Sequence, residues 1–450
     1  MATDTPAAAP VSPNRTWLNR WEPEDETFWR TEGSRLAWRT LWITTANLIM
    51  AFIVWFVVSA LVVRLPGIGF KLTSNQLFWL AAMPGLAGGT LRIIHTFLVP
   101  IYGTRYVVAI STLLLLIPAV GWFYAVQDPA TPYWMLMTLA FLAGLGGGNF
   151  SSFMPSTSLF FPKRLQGTAL AIQAGVGNFG VSVVQFVTPW IIGFALIGSA
   201  QVMVNKDTGA SKDVWFQNAG YIWIPFVVVG VILAFALLKS VPVQARGVRD
   251  QLDIFSNRNT WVMTYLYVIT FGTFSGLAAT FGLLIANLYG SGKFGEQGID
   301  PLAYAFLGAL VGSVVRVITG PFADRFGGAP LTLISTLGIS GAALFSAFQT
   351  NPTSADQFPV FLAGMLAIFA FSGIGNASTF KQMPMLFERR QAGGVIGWTA
   401  AIAAYGPFIF GILLSFLAPM IFFLAGAFFA FIGAILTWIF YARPGVPVKS

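Results

Sequence analysis

Hydrophobic windows about 20 residues long, the length an α-helix needs to cross the hydrocarbon of a bilayer, recur along this chain. They fall at roughly 40–63, 76–101, 106–126, 134–160, 166–198, 220–239, 260–289, 302–322, 329–349, 358–384, 393–417 and 418–441. Backbone polar groups in lipid must be satisfied within the segment, so runs of this length are read as helices. Only the turn at Ala418-Pro419 divides the last two windows. With 56% hydrophobic and 9% charged residues, and a mean hydropathy of +0.74, a water-soluble core could not hide this much apolar surface. The expected fold is an all-α membrane protein of twelve transmembrane helices.

Charge placement orients the expected bundle. Of the 25 lysines and arginines, Arg92, Arg316 and Lys381 lie within spans. Arg64, Lys71, Lys206, Lys212 and Lys293 fall in loops on one side, and all the others on the side holding both ends of the chain. The positive-inside rule therefore puts both termini in the cytoplasm of a multi-pass plasma-membrane protein. Residues 1–39 read as a cytoplasmic tail, with Met1 to Pro13 disordered and Trp21-Glu-Pro-Glu-Asp-Glu-Thr-Phe-Trp29 mixing aromatics and charge like an interfacial anchor. No signal-peptide core precedes the first span, which is expected to act as its own insertion signal. Residues 40–239 form a first six-helix bundle, 240–259 a polar cytoplasmic linker, 260–441 a second six-helix bundle and 442–450 a cytoplasmic tail.

Two features repeat at nearly one interval. Gly148-Asn149-Phe-Ser-Ser-Phe153 is echoed by Gly375-Asn376-Ala-Ser-Thr-Phe380, 227 residues on, and Arg92 by Arg316, 224 residues on. That points to a duplicated six-helix unit, the halves related by a pseudo-twofold axis along the membrane normal, with substrate held between them. A guanidinium at the bilayer centre costs roughly 3 kcal/mol on insertion scales, so each arginine calls for a buried anionic partner. The sixteen acidic residues read as lying in tails and loops. The partner is therefore expected to be the substrate. A guanidinium stays ionised and presents parallel N–H donors, matching the edge of a small trigonal oxyanion where an ammonium is only a point charge.

Composition also excludes. Zero cysteines and one histidine leave no thiolate site and no material for a metal centre or catalytic dyad in the spans, so no metal, cofactor or intramembrane enzyme of the usual kinds is expected. The net charge of +9 flanks hydrophobic spans with no interleaved aromatic-basic surface, which argues against nucleic acid.

After the eighth window, Gly320-Pro-Phe-Ala-Asp324-Arg325-Phe-Gly327 resembles the G-x-x-x-D-R-x-G loop of the major facilitator superfamily. Its first-half counterpart, Tyr102-Gly-Thr-Arg105, lacks the aspartate. Asp324 and Arg325 are read as a gating loop, with Asp324 capping or pairing at a helix terminus. Over essentially its whole length the chain resembles the nitrate/nitrite porters of that superfamily. The resemblance rests on Trp21-Glu-Pro-Glu-Asp25, Leu91-Arg92, Gly144-Leu-Gly-Gly-Gly-Asn149-Phe150, Phe160-Phe-Pro-Lys163, Gly175-Val-Gly177-Asn178-Phe-Gly180 and Gly373-Ile-Gly-Asn-Ala-Ser378. It implies that Arg92 and Arg316 hold the anion, that Tyr267 and Asn178 add hydrogen bonds, and that Phe52, Phe150 and Phe271 pack on its faces. The pattern departs at Ala174-Gly175, where the family often doubles the glycine, and at the degenerate Ala403-Ala-Tyr405-Gly406-Pro407-Phe408 of the eleventh window.

Lys381 and His95 stay open between two readings. Lys381 either snorkels to the interface or lies beside the pathway, as a third positive charge or neutral with a lowered pKa, and His95 is either a hydrogen-bonded wall residue or a proton carrier. Both are candidates for coupling. With no carboxylate relay expected, the leading mechanism is nitrate/nitrite exchange by alternating access in a monomer within the lipid bilayer. Nitrate/proton symport on the same fold is the alternative, and an anion channel lined by glycine-rich helices stands behind it.

Overall fold

A computed structural model describes residues 16–204, 211–242 and 249–446. The expected disordered stretch from Met1 to Pro13, and Lys206, Arg246 and Lys449, lie outside them. Among the described residues twelve helical segments are long and apolar enough to cross a membrane. They are α1 (Glu26–Leu61), α2 (Ser74–His95), α3 (Leu98–Ala125), α4 (Tyr133–Phe160), α5 (Lys163–Ile191) and α6 (Asn218–Leu237), then α7 (Arg258–Gln297), α8 (Pro301–Phe326), α9 (Gly328–Ala347), α10 (Ala355–Leu386), α11 (Arg390–Phe416) and α12 (Pro419–Ala442).

Several boundaries differ from the hydropathy windows for identifiable reasons. The α1 helix starts well before the window because Asp25 accepts from the backbone N–H of Thr27 and Phe28, capping a helix the aromatic segment continues. Thr73 and Gln76 form a reciprocal capping box that starts α2. At the other end α8 runs one turn further than its window, so Asp324 sits in the helix's last turn and not in a loop. Glu26, Glu32, Glu296 and Asp356 likewise fall inside helical spans, near their ends. Ionised groups at span ends reach water, so these corrections leave the bilayer centre free of carboxylates.

The N-terminal segment also differs from an anchor lying among headgroups. Trp21 donates Nε1–H to the Leu159 carbonyl at 3.0 Å and packs on Phe160, with centroids 5.0 Å apart. Glu24 accepts from the Lys163 N–H at 3.0 Å, and Ser240 exchanges backbone bonds with Thr16 and Leu18. Trp21, Trp29 and Trp38 find apolar partners in the α4–α5 turn, so the segment docks on protein. This end of the bundle is the linker face. The opposite end carries a two-stranded antiparallel hairpin, β1 (Gln201–Val204) with β2 (Ser211–Val214), that hydropathy alone did not reveal. It is called the hairpin face.

The two halves repeat in geometry. Gly103 (φ 76°, ψ 159°) and Gly327 (φ 86°, ψ 160°) occupy the same left-handed break, 224 residues apart, one at the kink in α3 and one between α8 and α9. Only glycine adopts such angles without strain, which explains both positions. At that interval Asp324 matches Pro100, so the first half keeps the turn and lacks the acid. The halves meet along two seams, α2 against α11 and α5 against α8. Small residues permit the approach, since a Cβ at Gly85 would lie 2.5 Å from the Phe408 nitrogen and one at Gly175 2.5 Å from Val317 Cγ2.

Candidate functional site

At mid-depth, Arg92 on α2 and Arg316 on α8 are both 0% exposed. Neither snorkels. Arg92 donates Nε–H to the Gly147 carbonyl of α4 at 2.6 Å and Nη1–H to the Ala400 carbonyl of α11 at 2.9 Å, so it already spans the two halves. Arg316 donates Nη2–H to the Tyr267 hydroxyl at 3.3 Å. With the Asn178 amide turned to satisfy both neighbours, its oxygen accepts from Arg316 Nη1 at 3.0 Å and its nitrogen donates to Ala174 O at 3.1 Å. Arg92 Nη2 and Arg316 Nε are buried donors with no hydrogen-bond partner among the described residues.

Aromatic rings complete the floor and walls. The Phe150 ring is shared, with Arg92 Cζ 4.5 Å and Arg316 Cζ 5.8 Å from its centroid. The two guanidinium carbons therefore lie at most about 10 Å apart, the sum of those distances. At an effective dielectric of about 20 their repulsion is roughly 2 kcal/mol, whereas an anion about 5 Å from each gains roughly 3 kcal/mol per arginine. A monovalent anion thus outweighs the repulsion. Phe271 stacks on Phe150 (5.5 Å) and on Tyr267 (5.3 Å), and Phe52 meets Phe150 edge-on at 5.9 Å. Tyr267 immediately precedes, and Phe271 lies within, a π-helical turn, Val268–Gly272, that re-aims this wall of α7, a distortion frequent at functional sites.

Both ends of the seam between the halves are closed. At the linker face Asp324 pairs with Lys381 Nζ at 2.7 Å and accepts from the backbone N–H of Thr168 on α5 at 2.7 Å and from its hydroxyl. Gly167 leaves room for that carboxylate, since a Cβ there would strike Asp324 Oδ1. Ser151 donates to the Gly397 carbonyl, tying α4 to α11. At the hairpin face Gln185 bonds Ala278 O, Ser182 bonds Phe306 O, Asn75 bonds Ser415 O and Arg64 pairs with Asp300. The conformation is occluded.

The remaining sequence-selected residues lie elsewhere. Lys381 is held by Asp324 and adds no charge to the arginine pair. His95 shares a hydrogen between Nδ1 and Ser152 Oγ at 3.0 Å and faces a lateral groove of about 500 Å³ beside Tyr102 and Tyr106. Arg325 packs its guanidinium over Phe326, 5.2 Å from the ring centroid. On the linker, Asp253 pairs with Arg390 and accepts from Gln391, and the Arg390 partner holds its carboxyl below the usual range. A depressed carboxyl keeps its pair at all pH values above its ordinary pKa and loses it only as pH falls through the lowered one. This clamp is therefore charged at neutral pH.

The family model of the Major Facilitator Superfamily matches residues 43–355. The probable nitrate/nitrite antiporter NarK2 of Thermus thermophilus is 60% identical over 443 residues, covering 96% of this chain and 97% of that protein. The chain belongs to the nitrate/nitrite porter family of the major facilitator superfamily. The nitrate/nitrite transporter NarU of Escherichia coli K12 is 35% identical, covering 96% of this porter and 97% of itself. The solved structure of the proton:xylose symporter XylE matches with a TM-score of 0.68 at 15% identity, covering 92% of this chain and 97% of its own, a likeness of fold alone.

Sequence reasoning missed several residues of the candidate site. Trp55 stacks under Arg92 at 4.9 Å and donates Nε1–H to Pro84 O, and Phe380 lies 5.1 Å from Arg316 Cζ. Phe380 ends the repeated Gly-Asn motif, so the repeat itself carried a signal for it. The carbonyls of Gly147 and Ala400 carry none, because any residue supplies a carbonyl.

Proposed function

We propose that this protein exchanges nitrate for nitrite across the membrane by alternating access, with the anion held between Arg92 and Arg316. The relative NarK2 is named a probable nitrate/nitrite antiporter, and NarU a nitrate/nitrite transporter. The observation that carries the reading is the buried cation pair: two guanidiniums from opposite halves, on one phenyl ring, each keeping an unpaired donor. Tyr267 and Asn178 orient Arg316, while Phe52, Phe150 and Phe271 wall the site and restrict it to small flat anions. The linker face is cytoplasmic by its positive charge, with both termini there. Asp324, Thr168 and Lys381 act as a latch at that face, closing when the halves meet. In this reading Lys381 serves the latch, and His95 braces α2 against α4.

Reconstituted protein tests this. With nitrite trapped inside vesicles, labelled nitrate uptake should be saturable and several-fold faster than into vesicles holding only an inert anion. Equal rates in the two preparations would end the exchange reading.

A further inference from the structure

The arginine pair leaves unexplained a third partly buried guanidinium in the seam between the halves. Arg64 follows the end of α1, twelve residues beyond the site wall at Phe52, roughly 18 Å along a helix axis. Its side chain keeps 17% exposure, and Nη2 meets Asp300 Oδ2 at 3.4 Å. Among the described residues this is the charged bridge between the halves at the hairpin face, the other bridges there being neutral. The neighbouring Val63 side chain would lie 3.2 Å from a Cβ at Gly282 of α7, so this turn is packed directly on the second half.

Asp300 is built to let Arg64 go. Its Oδ1 caps the turn Pro301–Ala303 by accepting from the Leu302 N–H at 3.1 Å, a role independent of Arg64. Only Oδ2 faces the arginine, and a partly exposed pair at this separation contributes little. Opening the seam at the hairpin face moves α1 away from the α7–α8 turn and breaks the pair. Arg64 is then an unpaired cation at the mouth of the cleft, where an incoming anion can take the place of the carboxylate. Burial lowers the pKa of Arg64 and the Asp300 charge opposes that shift.

We propose that Arg64 is a recruiting site for the transported oxyanion at the hairpin face, exchanging the Asp300 carboxylate for the anion as the gate opens. The proposal rests on the exchange reading above and assigns Arg64 a binding role that a structural latch would lack. Asp300 competes with the substrate, so the two partners have opposite effects on apparent affinity.

Anion counterflow in vesicles of known orientation separates the cases. Arg64→Gln should raise the half-saturating nitrate concentration at the hairpin face about three- to tenfold and leave the linker-face value within about twofold. Asp300→Asn, which keeps a good cap, should lower it at the hairpin face, and the double variant should follow Arg64→Gln. Added inert salt should raise half-saturation less steeply in Arg64→Gln than in the parent. If both single variants shift half-saturation in the same direction, or Arg64→Gln alters both faces equally, Arg64 is only a latch and the proposal fails while exchange stands. Absence of counterflow in the unmodified protein would instead remove the exchange reading, and this one with it.

Discussion

Arg92 divides its donors between the two halves of the molecule, and that division is what a lysine could not reproduce. Its Nε and Nη1 hold carbonyls of α4 and α11 in one plane, leaving Nη2 as an in-plane donor. An ammonium carries its donors on one tetrahedral nitrogen at the end of a shorter chain, so it keeps the charge and loses the fork. Arg92→Lys should therefore reach the membrane and fold, yet lose about ten- to a hundredfold in exchange rate, the equivalent of roughly 1.4–2.8 kcal/mol. Wild-type counterflow from that variant would show that charge alone suffices. The arginines were legible in the sequence because a cation inside an apolar run has few physical outcomes. Asn178 and Phe150 were picked out by resemblance, and nothing in periodicity distinguished Phe150 from the other 42 phenylalanines. Trp55 was invisible because its place under Arg92 depends on how α1 crosses α2, which no local pattern encodes.

At the scale of helices, the seams are made by glycines whose missing side chains leave room for the opposite half. Gly85 sits against the Phe408 nitrogen and Pro407, and the Gly89 face is covered by the Tyr405 ring, whose hydroxyl meets Thr90 at 2.9 Å. The irregular stretch Ala403–Phe408 thus packs tightly on α2 despite departing from the family pattern. A methyl group at Gly85 has no flexible neighbour to displace, and overpacking of this kind costs about 1–3 kcal/mol. Because the cost falls on the conformation in which α2 and α11 touch, Gly85→Ala should slow exchange and favour a state open at the hairpin face. Accessibility of a cysteine at Leu417 to a membrane-impermeant reagent should rise accordingly. Unchanged labelling and exchange would mean that the seam yields elsewhere. Helix number and the duplicated unit were readable because each span must satisfy its own backbone. The Asp324 latch was only half readable: an acid near a helix end predicts a partner, but Thr168 is 156 residues away in sequence.

For the whole molecule, the charge balance decides what the transport cycle can do. Among the described residues the candidate site holds two buried cations with no carboxylate paired to either. Closing it empty would carry two unneutralised charges through occlusion, against roughly 2 kcal/mol of mutual repulsion and the cost of desolvation. In the proposed reading, closing it around one monovalent anion removes the first penalty, so loaded forms should cross in both directions and the empty form should not. Nitrate one way and nitrite the other then move no net charge per cycle. Exchange with both anions present should accordingly change less than about twofold when a potassium-diffusion potential of −100 mV is imposed. A channel or a uniporter would transfer one charge per anion, about 2.3 kcal/mol at that potential, and its flux would change tens of fold. A one-to-one proton symporter is also electroneutral, but it would run without internal anion and respond to a pH gradient. Potential-independent flux that requires anion on both sides is the signature expected of the proposed carrier, in which the two arginines are bridged before the halves close.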